Sequence, residues 1–72
     1  MRIRETHHAS TSIYLRNIPR YEIEEVIRHP DTRVPQSEGQ IRAEKLTGDK
    51  TLRVVFKEEG KDVLLVTVYY LD

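Results

Sequence analysis

The sequence predicts an α+β domain in which two short N-terminal helices pack on one face of a three- to four-stranded antiparallel sheet. Three observations carry that expectation. Ile23, Val26 and Ile27 recur at i, i+3 and i+4 between Pro19 and Pro30, which is the period of an amphipathic helix. Val54-Val55-Phe56 and Val66-Thr67-Val68-Tyr69-Tyr70 are runs of β-branched and aromatic residues, the composition that suits a pleated, half-buried strand. Gly48-Asp49 and Glu58-Glu59-Gly60-Lys61 separate the apolar runs as hairpin turns do.

Residues 1 to 6 are polar and read as a short extended leader. The first helix is expected from Thr6 to about Arg16, with Thr6 as N-cap and Ala9 and Ile13 as an i, i+4 apolar pair; Leu15 fits that face only loosely. Ser10-Thr11-Ser12 weakens its intrinsic helicity, so it depends on tertiary support. Asn17 tolerates the left-handed conformation that ends a helix, and Pro19 suits the start of the next. The second helix is expected from Arg20 to Arg28, with Glu22, Glu24 and Glu25 early and Arg28 and His29 late, complementing the macrodipole. An irregular connection follows, with a short edge strand at Arg33-Val34 limited by Pro35. Strands are expected over Gln40 to Leu46, Lys50 to Lys57 and Asp62 to Leu71.

Uninterrupted alternation assigns the two faces of this sheet. Val54, Phe56, Leu64, Val66, Val68 and Tyr70, joined by Ile41 and Ala43, would face the helices. Arg42, Glu44, Arg53, Val55, Lys57, Leu65, Thr67 and Tyr69 would lie on the other side. A half-apolar face studded with Arg, Lys and Tyr reads either as a binding surface or as a dimer contact.

The chain of 72 residues is one domain, residues 1–72. A domain this small buries only about 60% of the surface its unfolded chain exposes, and its twelve basic and twelve acidic side chains cancel. Both facts favour self-association, so a homo-oligomer such as a dimer is expected. Neutral net charge removes the long-range attraction of a strongly basic nucleic-acid binder. Eight of the twelve basic residues are arginine, the side chain suited to bidentate phosphate or carboxylate contacts. With no cysteine, disulfides and thiolate metal sites are excluded. His7 and His8 are adjacent, so on a helix they diverge by about 100° and do not share one ion; no metal and no cofactor are expected. The Met1-Arg2-Ile3-Arg4-Glu5 start has no apolar stretch behind it, and the longest apolar run is Val63 to Val66. A cytoplasmic protein without a membrane segment is therefore expected.

His8-Ala9, Arg16-Asn17-Ile18, the acidic Glu22-Ile23-Glu24-Glu25-Val26-Ile27, Pro30 and the closing Thr67-Val68-Tyr69-Tyr70 together resemble an uncharacterised bacterial domain-of-unknown-function family. That family opens with His-Ala, carries two arginines on its first helix and a Gly-Ile lead into an acidic second helix. Ser12 stands where the pattern has its first arginine, and Asn17 where it has glycine. The family is similar in layout to RelE/ParE-type toxins, including the BrnT branch. The resemblance implies an RNA-directed domain, a weak or degenerate endoribonuclease that cuts RNA without a metal, with RNA or the ribosome as target and an antitoxin-like protein as partner.

Cleavage of that kind needs a proton acceptor, a proton donor and a cation on the phosphate oxygens. The resemblance points to Arg53 as phosphate clamp, to Tyr69 or Lys57 for proton handling, and to Arg42 for a flanking phosphate. His8 is either an acid or base or, the reading the residue type favours, a packing group fixing the helix to the last strand. Arg16 either binds phosphate or pairs with an acid of the second helix such as Glu22. Set against these roles is a solvated strand face with a Glu44–Arg53 cross-strand pair. The alternative function is a non-catalytic interaction module using the Leu65/Val55 face or the edge near Val34. Tyr14 and Tyr21 are expected to cover the small core rather than stack on bases.

Overall fold

The computed structural model describes residues 1–71. In chain order it runs β1 (Ile3–Glu5), α1 (His7–Arg16), α2 (Arg20–Arg28), β2 (Thr32–Pro35), a 3-10 turn (Ser37–Gly39), β3 (Gln40–Thr47), β4 (Lys50–Glu59) and β5 (Asp62–Leu71). The strands form a single sheet in the order β1-β5-β4-β3-β2.

This corrects the expectation of three or four antiparallel strands. The sheet has five strands and is mixed, because β1 pairs in parallel with β5. The chain leaves β1, crosses one face of the sheet as two helices and returns at the far edge as β2. Antiparallel pairings then bring β5 back beside β1. Hydrogen bonds from Val63 N to Arg2 O (2.9 Å) and from Thr6 N to Leu65 O (3.0 Å) fasten the two ends of this contact. A three-residue strand carries too little alternation to be read from sequence, and a parallel neighbour leaves no hairpin turn to mark it.

The helices follow their local signals. Thr6 is extended and its Oγ1 accepts from Ala9 N at 3.1 Å, capping α1. The same hydroxyl donates to Val66 O at 3.2 Å, tying the cap to β5. Asn17 ends α1 in the left-handed region, at φ 52° and ψ 48°. Gly48 and Gly60 have positive φ (67° and 63°) at the first turn position of their two-residue hairpins, which a residue with a Cβ adopts only under strain.

Ala9 and Ile13 of α1, Ile18, and Ile23, Val26 and Ile27 of α2 cover Ala43, Leu52, Val54, Phe56, Val63, Leu65 and Val68 of the sheet in one core. Here the expected faces of β5 need correction. Val55 pairs with Thr67 but Phe56 pairs with Leu65, leaving Val66 without a partner. This β-bulge resets the alternation. Val63 and Leu65 therefore enter the core, while Leu64 and Val66 stay partly exposed. The expectation had Leu64 and Val66 facing in and Leu65 facing out, because a bulge has no composition signal in a run of apolar residues.

Tyr14 and Tyr21 do not cover the core: they are 80% and 71% exposed. Tyr14 follows the buried Ile13 by one residue, roughly 100° around α1, and Tyr21 lies on the side of α2 opposite Ile23, Val26 and Ile27. Leu15 is likewise exposed. No helix among the described residues is long and apolar enough to cross a membrane.

Candidate functional site

The sheet face opposite the helices is organised in cross-strand rows. One row runs Thr32, Glu44, Arg53, Tyr69 across β2, β3, β4 and β5. The next runs Val34, Arg42, Val55, Thr67. A third runs Gln40, Lys57, Leu64, Arg4. Rows on one face are about 7 Å apart. The flanking residues Leu52, Val54 and Phe56 are buried against the helices, so strand alternation turns Arg53, Val55 and Lys57 to the bare side.

Arg53 is the centre of this face. Its Nε donates to Glu44 Oε2 at 2.6 Å and its Nη1 to the Tyr69 hydroxyl at 2.8 Å. Its guanidinium carbon lies 5.5 Å from the Tyr69 ring centroid, within range of a cation–π contact. These bonds, with Tyr69 the larger influence, hold the guanidinium above its ordinary pKa against the opposing effect of burial. Arg53 is thus a permanent cation fixed in direction at two of its nitrogens. The Tyr69 oxygen accepts from Arg53, which leaves its own proton for another acceptor.

Glu44 has two cations on one oxygen. Besides the Arg53 bond, Oε2 lies 3.6 Å from Arg42 Nε. The side chains of Glu44, Arg53 and Arg42 are 19%, 25% and 35% exposed. Lys57, two rows from Arg53 on the same strand, forms no ion pair among the described residues. Of the six residues singled out from sequence, Arg53, Tyr69, Arg42 and Lys57 therefore share one face. Sequence reasoning gave Glu44 only a cross-strand pairing. Its second contact, to Arg42, was signalled by the i, i+2 spacing on β3.

His8 and Arg16 belong to the helical layer and are exposed. Neither is joined by hydrogen bond or ion pair to Arg53, Tyr69 or each other among the described residues. The anchoring of α1 to β5 expected of His8 is performed by Thr6. The expected Arg16–Glu22 pair does not form: Glu22 accepts from the Tyr70 hydroxyl at 2.7 Å. Burial first, and that bond second, push the Tyr70 hydroxyl up to about 12.

Among the described residues, no group of three or more His, Cys, Asp or Glu side chains is gathered to hold a metal ion. A cavity of about 220 Å³ lies between β1 and α2, lined by Met1, Ile3, Arg20, Ile23, Glu24 and Leu65. It sits on the helix side of the sheet, where Arg20 is already paired with Glu5. It therefore has no part in the Arg53 row.

No curated protein and no solved structure matches the chain. One family model does match, over residues 6–70, from the α1 cap to the penultimate residue of β5, and the chain belongs to that family, described as Domain of unknown function (DUF4258).

Proposed function

We propose that the bare face of the sheet is an RNA-directed surface of the RelE/ParE toxin type, acting as a metal-independent endoribonuclease. The observation that carries this reading is the row Glu44–Arg53–Tyr69, in which a fixed guanidinium stands beside a phenol with a proton to give. In such a reaction the ribose 2′-oxygen attacks the adjacent phosphorus and the bond to the 5′-oxygen breaks. One proton leaves the 2′-hydroxyl and another reaches the 5′-oxygen. Arg53 stabilises the charge that builds on the phosphate oxygens. Tyr69 gives its proton to the leaving oxygen, and Arg42 and Lys57 hold flanking phosphates in the next two rows. His8 and Arg16 stand on α1, across the sheet from Arg53, so neither acts at this phosphate and the 2′-proton passes to water.

Purified protein incubated with translating ribosomes or with RNA should produce cleavage. Arg53→Ala should reduce the rate on the order of a hundredfold or more, the usual cost of removing a transition-state donor. Absence of both cleavage and binding at low salt would refute the reading.

A second reading is favoured by a different observation. Tyr14, Leu15 and Tyr21 are each more than two-thirds exposed near the α1–α2 corner, and aromatic residues are enriched where proteins meet. A non-catalytic module binding an antitoxin-like partner or its own copy would use that corner. The Leu65/Val55 face expected from sequence loses Leu65 to the core, while Val34 on the edge strand β2 stays exposed. Sedimentation of wild type against a Tyr14→Ser/Leu15→Ser/Tyr21→Ser variant tests it: an assembly lost in the variant supports the corner as its contact.

A further inference from the structure

We propose that Glu44 is a built-in competitor of the phosphate, a carboxylate that holds Arg42 and Arg53 in the resting protein and must release them before RNA binds. This rests on the reading of the bare face as a phosphate-binding surface. A carboxylate and a phosphodiester each present anionic oxygens to a guanidinium, and each takes the same donors. Glu44 Oε2 takes the Nε–H of Arg53 at 2.6 Å and lies 3.6 Å from Nε of Arg42. The second bond of Arg53, from Nη1, goes to Tyr69. Only Nη2 is then left without one of these partners, so a phosphate seeking two parallel N–H donors meets an occupied Nε edge.

The row geometry makes release local. Arg53 keeps its Tyr69 bond when Glu44 swings away, so its direction is retained while its charge is freed. Arg42, one row along on β3, is freed by the same movement. Two cations therefore become available through one side chain. Glu44 is 19% exposed and lies on the open side of the sheet, so its carboxylate moves into water rather than into the core.

The test is binding of a short single-stranded RNA oligonucleotide at several low salt concentrations, for wild type, Glu44→Gln and Arg53→Ala. Glu44→Gln should tighten binding on the order of tenfold, as expected for removing one partly screened competing charge. The released arginines reach the same phosphates in both proteins, so the slope of log K against log salt should stay unchanged. A Glu44 that merely positions Arg53 would give weaker binding in Glu44→Gln. Arg53-dependent binding in wild type, equalled or weakened in Glu44→Gln, overturns the competitor role and leaves the RNA reading intact. Binding by neither protein refutes the RNA reading itself. If Glu44→Gln does not fold, the wild-type Arg53 Nε–H resonance decides the matter. It must shift when RNA saturates the site, and an unmoved signal overturns the proposal.

Discussion

Deletion of Val66 separates the bulged sheet from one with unbroken alternation. In the observed register Leu65 faces the core opposite Phe56, Thr67 faces outward opposite Val55, and Val66 is the extra residue between them. Removing it joins Leu65 directly to Thr67, and a regular strand then places both residues, with Val68 and Tyr70, on the faces they already occupy. The losses are specific. The Thr6 Oγ1 bond to Val66 O disappears, costing about 1 kcal/mol. The partly buried Val66 side chain goes too, worth about another 1 kcal/mol. A domain of this length has roughly 4 to 11 kcal/mol of stability to draw on, so the deletion variant should remain folded. In an unbroken strand the same deletion would turn Val68 and Tyr70 out of the core and leave no cooperative fold. Urea denaturation followed by circular dichroism distinguishes these outcomes. A cooperative transition with an unchanged slope and a loss of about 2 kcal/mol supports the bulge. A variant without a transition refutes the face assignment, and with it the account of why Leu65 rather than Leu64 is buried.

Two further predictions concern the links between layers. Thr6→Ala removes both the α1 cap and the bond to β5 and should cost about 1 to 2 kcal/mol in urea denaturation; an equal loss in Thr6→Ser would mean that the hydroxyl is not responsible. Tyr70 has its folded pKa raised to about 12, so the folded state holds that proton more tightly than the unfolded chain. The resulting stabilisation is complete below pH 10 and is lost as pH rises through about 12. Screening at the partly exposed hydroxyl limits it to about 1 kcal/mol. The stability of wild type relative to Tyr70→Phe should therefore fall by about that amount as pH rises from 10 to 12; a difference independent of pH refutes the linkage.

What was legible in the sequence was whatever its own neighbours determine. Thr6, Asn17, Pro19 and Pro30 act within one helical turn, and α2 begins and ends where they place it. The hairpins at Gly48 and Gly60 depend on φ at single positions. The placement of Arg53 beside Tyr69 was legible for a similar reason: both lie on the turn-distal side of the bulge, where β4 and β5 alternate regularly from Thr51 to Val55. The order of Val63, Leu64, Leu65 and Val66 was not legible. All four are apolar, so sliding the alternation by one residue changes no composition signal. The parallel β1 pairing was hidden too, since it joins residues about 60 apart with no turn between them.

Neutral net charge looks at first like an argument against any anion-binding face. The distribution of ion pairs removes its force. Arg4 with Glu59, Arg20 with Glu5, Arg28 with Glu24, Arg33 with Glu58 and Lys45 with Asp31 cancel one another away from the Arg53 row. Exposed charges further away than the Debye length, about 8 Å at physiological ionic strength, contribute little to what a bound anion feels. An anion at Arg53 therefore responds to its own and adjacent rows, where Arg42 and Arg53 are opposed by Glu44 alone among the described residues. The excess is positive and is controlled by one carboxylate. If the bare face binds RNA as proposed, a protein built this way would associate slowly and with little steering, and its affinity would depend on Glu44.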